Sequence, residues 1–165
     1  MPLIKIARDL LGFKGDISNQ YHVARRVELG NSKQMYRAHF DSHLFTMVLP
    51  IVIPSTMNGG SVGDLIYFPD ARKPPRSEIS NFFGKVSFKR FANKTGMERL
   101  ALRQELRVDD FQDYCPLLFI GNTTLHTNSQ VSEICSSYRL ALLAHFFDPS
   151  PKYGVGSFLR LIRNR

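Results

Sequence analysis

Histidine and aspartate alternate in one short stretch of the sequence, His39-Phe-Asp41-Ser-His43. On a β-strand, alternating residues point to one face of the sheet, and imidazole and carboxylate groups there could bind a transition-metal ion. A polar sheet face has the same pattern, and we favour that interpretation. The sequence therefore predicts neither a metal site nor a cofactor, although His39 and His43 would also suit an enzyme with a dispersed site.

Other residue types that commonly act in catalysis or metal binding lack the spacing that these functions require. Cys115 and Cys135 have neither a paired cysteine nor a histidine cluster beside them, so we predict free buried thiols in a reducing compartment rather than a zinc site. The glycine-rich stretch over 55–63 lacks the Lys-Ser/Thr ending of a phosphate-binding loop. No Ser, Cys or Lys has an activating neighbour in the sequence. We therefore predict that the protein is not an enzyme.

Positive charge is in clear excess, with 22 Lys and Arg residues against 14 acidic ones and a formal net charge of +8. Such an excess favours a negatively charged partner. Ten basic residues between 72 and 107 are interrupted by only three acidic ones. We call the ten the basic belt: Arg72, Lys73, Arg76, Lys85, Lys89, Arg90, Lys94, Arg99, Arg103 and Arg107. The basic belt suits phosphate contacts with a nucleic acid or with anionic lipid.

The first fifteen residues combine apolar and basic side chains. We predict a short amphipathic helix over 3–11, in which Leu3, Ala7, Leu10 and Leu11 share a face. The pattern does not match a signal peptide, and a contact with a membrane would be peripheral. The predicted membrane-binding residues are Leu3, Ile4, Lys5, Ile6, Arg8, Leu10, Leu11, Phe13 and Lys14. The alternative is a helix that packs on the body of the protein.

Strands outnumber helices in the patterns of the chain. Alternating or continuous apolar residues predict strands over 21–29, 36–53, 65–68, 85–91, 97–108, 116–120 and 157–162. Pro50 indicates a bend or bulge in the second of these. The stretch 97–108 also permits a helix, because Thr95-Gly-Met-Glu98 resembles a capping box, but we favour the strand and expect Arg99, Arg103 and Arg107 on one of its faces.

Two more helices are predicted, a brief one over 77–83 and a long one over 129–147. In the long one, Val131, Ile134, Cys135, Tyr138 and Leu142 recur at helical spacing. The prediction is thus an α+β fold with a mostly antiparallel sheet. We expect one domain over 1–165, with an amphipathic segment over 1–15 and a globular body over 16–165.

The two ends of the sequence resemble those of small rhabdovirus matrix proteins, particularly the compact ones of plant-infecting members. The resemblance lies in Met1-Pro-Leu-Ile-Lys-Ile to Leu11-Gly-Phe-Lys-Gly15, and in Tyr138-Arg-Leu-Ala-Leu to Gly156-Ser-Phe-Leu-Arg-Leu-Ile-Arg163. It implies a self-associating virion protein that bridges viral nucleocapsid RNA and the inner membrane surface of the host cell, reached from the cytoplasm, without a cofactor. The PPxY motif of animal-virus relatives is missing, which argues against recruitment of host budding machinery.

A second interpretation is a viral accessory protein that binds nucleic acid, such as a silencing suppressor or a movement protein. In that case the basic belt would be the functional surface, and the N-terminal helix would only pack on the body. The two interpretations differ in whether the principal partner is lipid or nucleic acid.

Overall fold

Seven β-strands form two antiparallel sheets in the part of the chain that the structure describes. The structure is a computed structural model, and it describes residues 2–15, 17–18, 20–31, 35–56, 59–74, 84, 86–88 and 92–148. The first sheet has the order β1 (Gln20–Val27), β7 (Arg139–Phe146), β2 (Phe45–Val52) and β5 (Leu117–Ile120). The second has the order β4 (Arg107–Asp109), β3 (Leu65–Phe68) and β6 (Leu125–Asn128).

The two sheets pack face to face around an apolar core. Val48 and Ala141 of the first sheet meet Leu65 of the second and Phe111, and all four are buried. The rings of Tyr67 and Phe119 stack between the sheets with centroids 6.3 Å apart. A mostly antiparallel α+β fold is thus confirmed. The strands β2, β3 and β5 lie within predicted ones, and β1 overlaps its predicted range but begins one residue earlier. The register of β2 against β7 shifts between Pro50 and Val52, in agreement with the predicted irregularity at Pro50.

The long helix predicted over 129–147 is wrong, because its second half belongs to a central strand, β7. Turns and bends cover residues 133–137, and β7 then pairs with β1 on one side and with β2 on the other. A strand with packing on both faces carries apolar residues without alternation, and such a run cannot be distinguished from a buried helix by its period. The stretch Leu140–Phe147 has this character.

The strand predicted over 97–108 is also wrong for most of its length. A helix, α2 (Lys94–Ala101), occupies the first part, and only Arg107–Asp109 forms a strand. The Asn93 side chain accepts a hydrogen bond of 2.8 Å from the Gly96 N–H, and so caps the helix. Met97 and Leu100 are buried against Phe68 and Leu125. The helical alternative is therefore correct only for residues 97–101, and the cap, Asn93, lies two residues before the expected cap at Thr95.

The N-terminal helix packs on the end of the first sheet. Its α-helical turn, α1 (Leu3–Lys5), continues into a π-helical turn over Ile6–Leu10, and we call the two together the N-terminal helix. Ala7 is fully buried in a cluster with Leu44, Phe45 and Phe147. Leu3, Ile6 and Phe13 pack around this cluster and are half-buried.

Several other predicted elements fall partly or wholly outside the described residues. The helix over 77–83 and the strand over 157–162 lie outside them. The strand predicted over 85–91 is wrong where the structure describes it, because residues 86–88 are helical. In the described part of the chain, no helix has the length and hydropathy needed to cross a membrane.

Candidate functional site

Polar side chains from distant parts of the chain meet at one end of the space between the sheets. Asp41 lies at the centre, just before β2. We call the group the histidine–aspartate cluster, and its members are His39, Asp41, Thr46, His126 and His145. Thr46 lies on β2, His126 on β6 and His145 on β7, so both sheets contribute to the cluster.

Backbone pairing brings the two edges of the cluster together. His39 and His126 form an isolated antiparallel bridge, in which each backbone N–H donates to the carbonyl of the other residue at 3.1 Å. Directly opposed residues project their side chains to the same face, and the two imidazole centroids are 4.4 Å apart. The Asp41 N–H donates to the Gly121 carbonyl at 3.0 Å, which fixes the aspartate beside this pair.

Three imidazoles surround the Asp41 carboxylate, which also accepts a hydrogen bond from the Thr46 hydroxyl. Oδ2 is 3.5 Å from Nε2 of His126 and 3.6 Å from Nδ1 of His145, and Oδ1 is 3.7 Å from Nε2 of His39. The side chains of Asp41 and His126 are only 10% and 8% exposed, whereas that of His39 is 46% exposed. The cluster is therefore shielded from water except on the side of His39.

Burial sets the charge state of the cluster. It lowers the pKa of His126 to about 4 and lowers the pKa of His145 as well. Burial by itself would raise the pKa of Asp41, but His126, the Thr46 hydroxyl and the other imidazoles outweigh it and lower this pKa. At neutral pH the cluster thus holds the Asp41 carboxylate anion beside the neutral imidazoles of His126 and His145.

Backbone carbonyls determine which nitrogen of each bridged histidine carries the proton. Nδ1 of His39 lies 2.9 Å from the Arg37 carbonyl oxygen, and Nδ1 of His126 lies 3.2 Å from that of Thr124. A carbonyl oxygen only accepts hydrogen bonds, so in each neutral imidazole Nδ1 is the donor. Nε2 of both residues is therefore the nitrogen that faces Asp41.

Gly121 is required by the close packing around the Asp41–Thr46 hydrogen bond. A Cβ at position 121 would lie 2.5 Å from Oγ1 of Thr46 and 3.0 Å from Cβ of Asp41. The Gly121 N–H also donates to the Leu44 carbonyl at 2.9 Å. The turn after β5 is thus pressed against the cluster, and a side chain there would displace its hydrogen bonds.

Next to the cluster, a cavity of about 70 Å³ extends between the sheets and is lined by Arg25, Asn128 and Arg139 together with apolar residues. Arg139 is buried, donates a hydrogen bond to the Gly63 carbonyl and lies over the Phe111 ring. Burial lowers the pKa of Arg139 to about 10. Guanidinium groups thus face the same interior space as the Asp41 carboxylate.

The stretch His39–His43, interpreted from its sequence as one polar strand face, is divided between two environments. His39 and Asp41 belong to the cluster, although residues 40–44 form no strand. The His43 ring instead lies 5.3 Å from the His145 ring and 6.5 Å from the Tyr21 ring. Sequence reasoning missed His126 and His145, since nothing in their spacing relates them to Asp41.

The basic belt is not one continuous strand face. Lys94, Arg99 and Arg103 are exposed on α2 or in the turn that follows it, whereas Arg107 is on β4. The common strand face expected for Arg99, Arg103 and Arg107 is therefore wrong, because a helix ends between them. Arg76, Lys85, Lys89 and Arg90 lie outside the described residues.

Two arginines of the basic belt have partners within the protein. The Arg72 Nε donates to the Asn122 carbonyl at 2.8 Å, and its guanidinium lies 4.0 Å from the centroid of the Phe40 ring. Burial lowers the pKa of Arg72 to about 10. Arg107 is exposed and forms an ion pair of 2.8 Å with Glu105. Lys73 is exposed beside Arg72.

The predicted membrane-binding segment has a packed side and an exposed side. Leu3, Ile6 and Phe13 belong to the packed side. The exposed side combines three apolar and three basic residues with the acidic Asp9, and Leu10 is its most exposed apolar residue at 71%. We call its apolar and basic residues the N-terminal strip: Ile4, Lys5, Arg8, Leu10, Leu11 and Lys14.

Fold and site together define the class: an α+β protein, mostly of antiparallel sheet, with a histidine–aspartate cluster between its sheets. No family model matches the chain, and a search of the curated proteins finds no match. The function of this chain is therefore inferred from its own geometry.

Proposed function

We propose that this protein is a non-catalytic structural protein of the viral matrix type, which attaches to an anionic membrane surface through the N-terminal strip and holds nucleocapsid RNA through the basic belt. The observation that carries the proposal is the division of the N-terminal helix into two sides. Ala7 and its neighbours pack on the sheet, while Leu10, Leu11 and Ile4 remain exposed among basic residues.

Docking of the helix makes the N-terminal strip a fixed surface feature. Because Ala7 is fully buried against Leu44 and Phe45, the strip needs no ordering when it meets a membrane. Insertion of a leucine side chain contributes about 1.5–3 kcal/mol when it is fully buried, and each basic residue near an anionic surface contributes about 1 kcal/mol. These are the contributions expected of a peripheral and reversible attachment.

Attachment through one such strip is weak, so the proposal includes self-association. Several linked copies gain affinity without any new contact. The first sheet supports this part of the proposal, because Leu118 of β5 and Ile51 of β2 are exposed apolar residues on it. An array of copies on the inner membrane surface of a host cell, and later in the virion, would present many strips at once.

Exposed cations on and after α2 would hold the RNA. Lys94, Arg99 and Arg103 are exposed, and the Asn93 cap fixes the start of the helix that carries the first two. Phosphate contacts of this kind are independent of sequence and weaken as salt rises. Arg72 differs from them, because its hydrogen bond to Asn122 and its contact with Phe40 use the side chain within the fold.

The second candidate is an accessory protein that binds nucleic acid, such as a silencing suppressor or a movement protein. The burial of Leu3, Ile6 and Ala7 favours it, because this side of the N-terminal helix is used for packing. On this alternative the cations of α2 would bind RNA in the absence of lipid, and the N-terminal strip would have no role in binding.

The test is the substitution Leu10→Glu, measured by flotation with vesicles of phosphatidylcholine and phosphatidylserine. Loss of an inserted leucine removes about 1.5 kcal/mol or more, which is about a tenfold loss of vesicle affinity. The matched control is Ile134→Glu, which adds the same charge at another exposed apolar residue, 59% exposed. Equal flotation of the two variants would contradict the membrane role of the strip.

A further inference from the structure

We propose that His39, Asp41 and His126 form a binding site for a divalent transition-metal ion, with Zn²⁺ as the representative ion. Nε2 of each histidine and one carboxylate oxygen would be the protein ligands. The three ligand atoms all lie within 4.8 Å of one another. This site is separate from the N-terminal strip and from α2, so it stands independently of the membrane proposal.

The orientation of the two imidazoles is the first argument. Both Nδ1 atoms face backbone carbonyls, at Arg37 and Thr124, so Nε2 of each imidazole is the nitrogen turned toward the Asp41 carboxylate. Histidines that bind a metal commonly donate their other N–H to a backbone carbonyl in this way.

Distances within the cluster are the second argument. With metal–ligand bonds of about 2.0–2.1 Å, a tetrahedral zinc site separates its ligand atoms by about 3.3–3.4 Å. The Asp41 oxygens lie 3.5 Å from Nε2 of His126 and 3.7 Å from Nε2 of His39. The first of these separations is to Oδ2 and the second to Oδ1, and both are too long for direct hydrogen bonds of normal length. All three ligand atoms lie within 4.8 Å of one another, and they would move closer together on binding to reach the zinc geometry.

The surroundings of Asp41 hold the carboxylate in place for a metal. The Thr46 hydroxyl donates its hydrogen to Oδ2 of Asp41. Its oxygen lies 3.1 Å from Nδ1 of His145 on β7, which holds the Thr46 side chain in place. The Asp41 N–H is bound to the Gly121 carbonyl. Hydrogen bonds that hold a metal-binding side chain in this way commonly change metal affinity by about 10–100-fold.

The ligand set and its exposure indicate the kind of ion. Two imidazoles and one carboxylate suit Zn²⁺ and its neighbours, whereas Mg²⁺ and Ca²⁺ prefer sites made of oxygen. His39 is exposed at the edge of the cluster while Asp41 and His126 are buried. The side of His39 therefore gives the ion a path from solvent and leaves a coordination position for water.

The proposal is tested by titrating the metal-stripped full chain with Co²⁺ and then displacing Co²⁺ with Zn²⁺. We expect one ion per chain, with visible Co²⁺ absorption typical of a low-coordinate site with nitrogen ligands. The informative variant is His39→Gln, because His39 is exposed and its loss leaves the fold intact, which circular dichroism would check. His39→Gln is expected to weaken Zn²⁺ binding at least about tenfold, the scale of a lost supporting contact.

The matched control is His22→Gln, which removes an exposed histidine of β1 that is no member of the cluster. It should bind Zn²⁺ as the wild type does. Equal affinity of the wild type and His39→Gln would overturn the proposal, and so would the absence of a one-to-one Co²⁺ complex in the wild type. If His22→Gln weakens Zn²⁺ binding as much as His39→Gln does, the ion is captured adventitiously by surface histidines and the proposal is overturned.

Discussion

At position 121, even a methyl group would collide with the polar cluster. The Thr46 hydroxyl and the Asp41 side chain both lie within 3.0 Å of where a Cβ would be placed. Their hydrogen bond lies between the sheets, where the surrounding side chains have little room to move. Single residues thus decide whether the carboxylate keeps its position among the histidines.

We predict that Gly121→Ala lowers the free energy of unfolding by about 1–3 kcal/mol, the usual cost of added volume in a packed region. Urea denaturation would measure the loss. Gly60→Ala is the control, because the nearest atoms there are the Ser132 hydroxyl and Cδ1 of Ile134, an exposed side chain that can move aside. If the two variants lose equal stability, the close packing at Gly121 has no energetic importance.

At the scale of elements, the sequence predicts strands well where local patterning is clear. β3 matches its predicted range over 65–68, β5 lies inside its range, and β1 begins one residue before its range. The prediction fails for β7, because a central strand packed on both faces has no alternation of apolar and polar residues. It fails for α2 because Leu100, Leu102 and Leu106 also follow a period of two, although the last two are exposed.

The cap of α2 gives a prediction at this scale. Asn93→Ala is expected to lower the free energy of unfolding by about 1 kcal/mol, the typical cost of losing an N-cap. The Asn93 side chain makes the hydrogen bond to the Gly96 N–H, so Asn93→Ser should retain most of the stability. Chemical denaturation of the full chain is the measurement.

The control for this prediction is Thr95→Ala, which changes the residue that the sequence pattern suggested as the cap. Thr95 is exposed and lies inside the helix, so we expect a smaller change in stability. A larger loss for Thr95→Ala than for Asn93→Ala would contradict the helix boundary described here.

At the scale of the whole molecule, three features come from separate parts of the chain: the N-terminal strip, the cations of α2 and the histidine–aspartate cluster. Amphipathic patterning identified the N-terminal segment, but apolar residues on both sides of a short helix do not reveal which side packs. The spacing of His39 and Asp41 indicated two members of the cluster. His126 and His145 could not be predicted, because only the pairing of the sheets brings them to Asp41.

Our central proposal is that one protein bridges a membrane and RNA through two different surfaces. The bridge requires that the N-terminal strip and the cations of α2 act independently. The variant Leu10→Glu should therefore lose vesicle binding and retain RNA binding. The double variant Arg99→Glu with Arg103→Glu should lose RNA binding and keep most of its vesicle binding. Its remaining RNA affinity should depend less on salt, because fewer phosphate contacts release fewer counterions.

The most direct measurement is co-flotation of labelled RNA with anionic vesicles in the presence of the full chain. We predict that the wild type carries RNA to the floating vesicles and that both sets of variants abolish this transfer. A control pair, Arg26→Glu with Arg37→Glu, makes the same charge change at exposed arginines elsewhere and should retain it. Wild-type protein that binds RNA but carries none to the vesicles would contradict the bridging function.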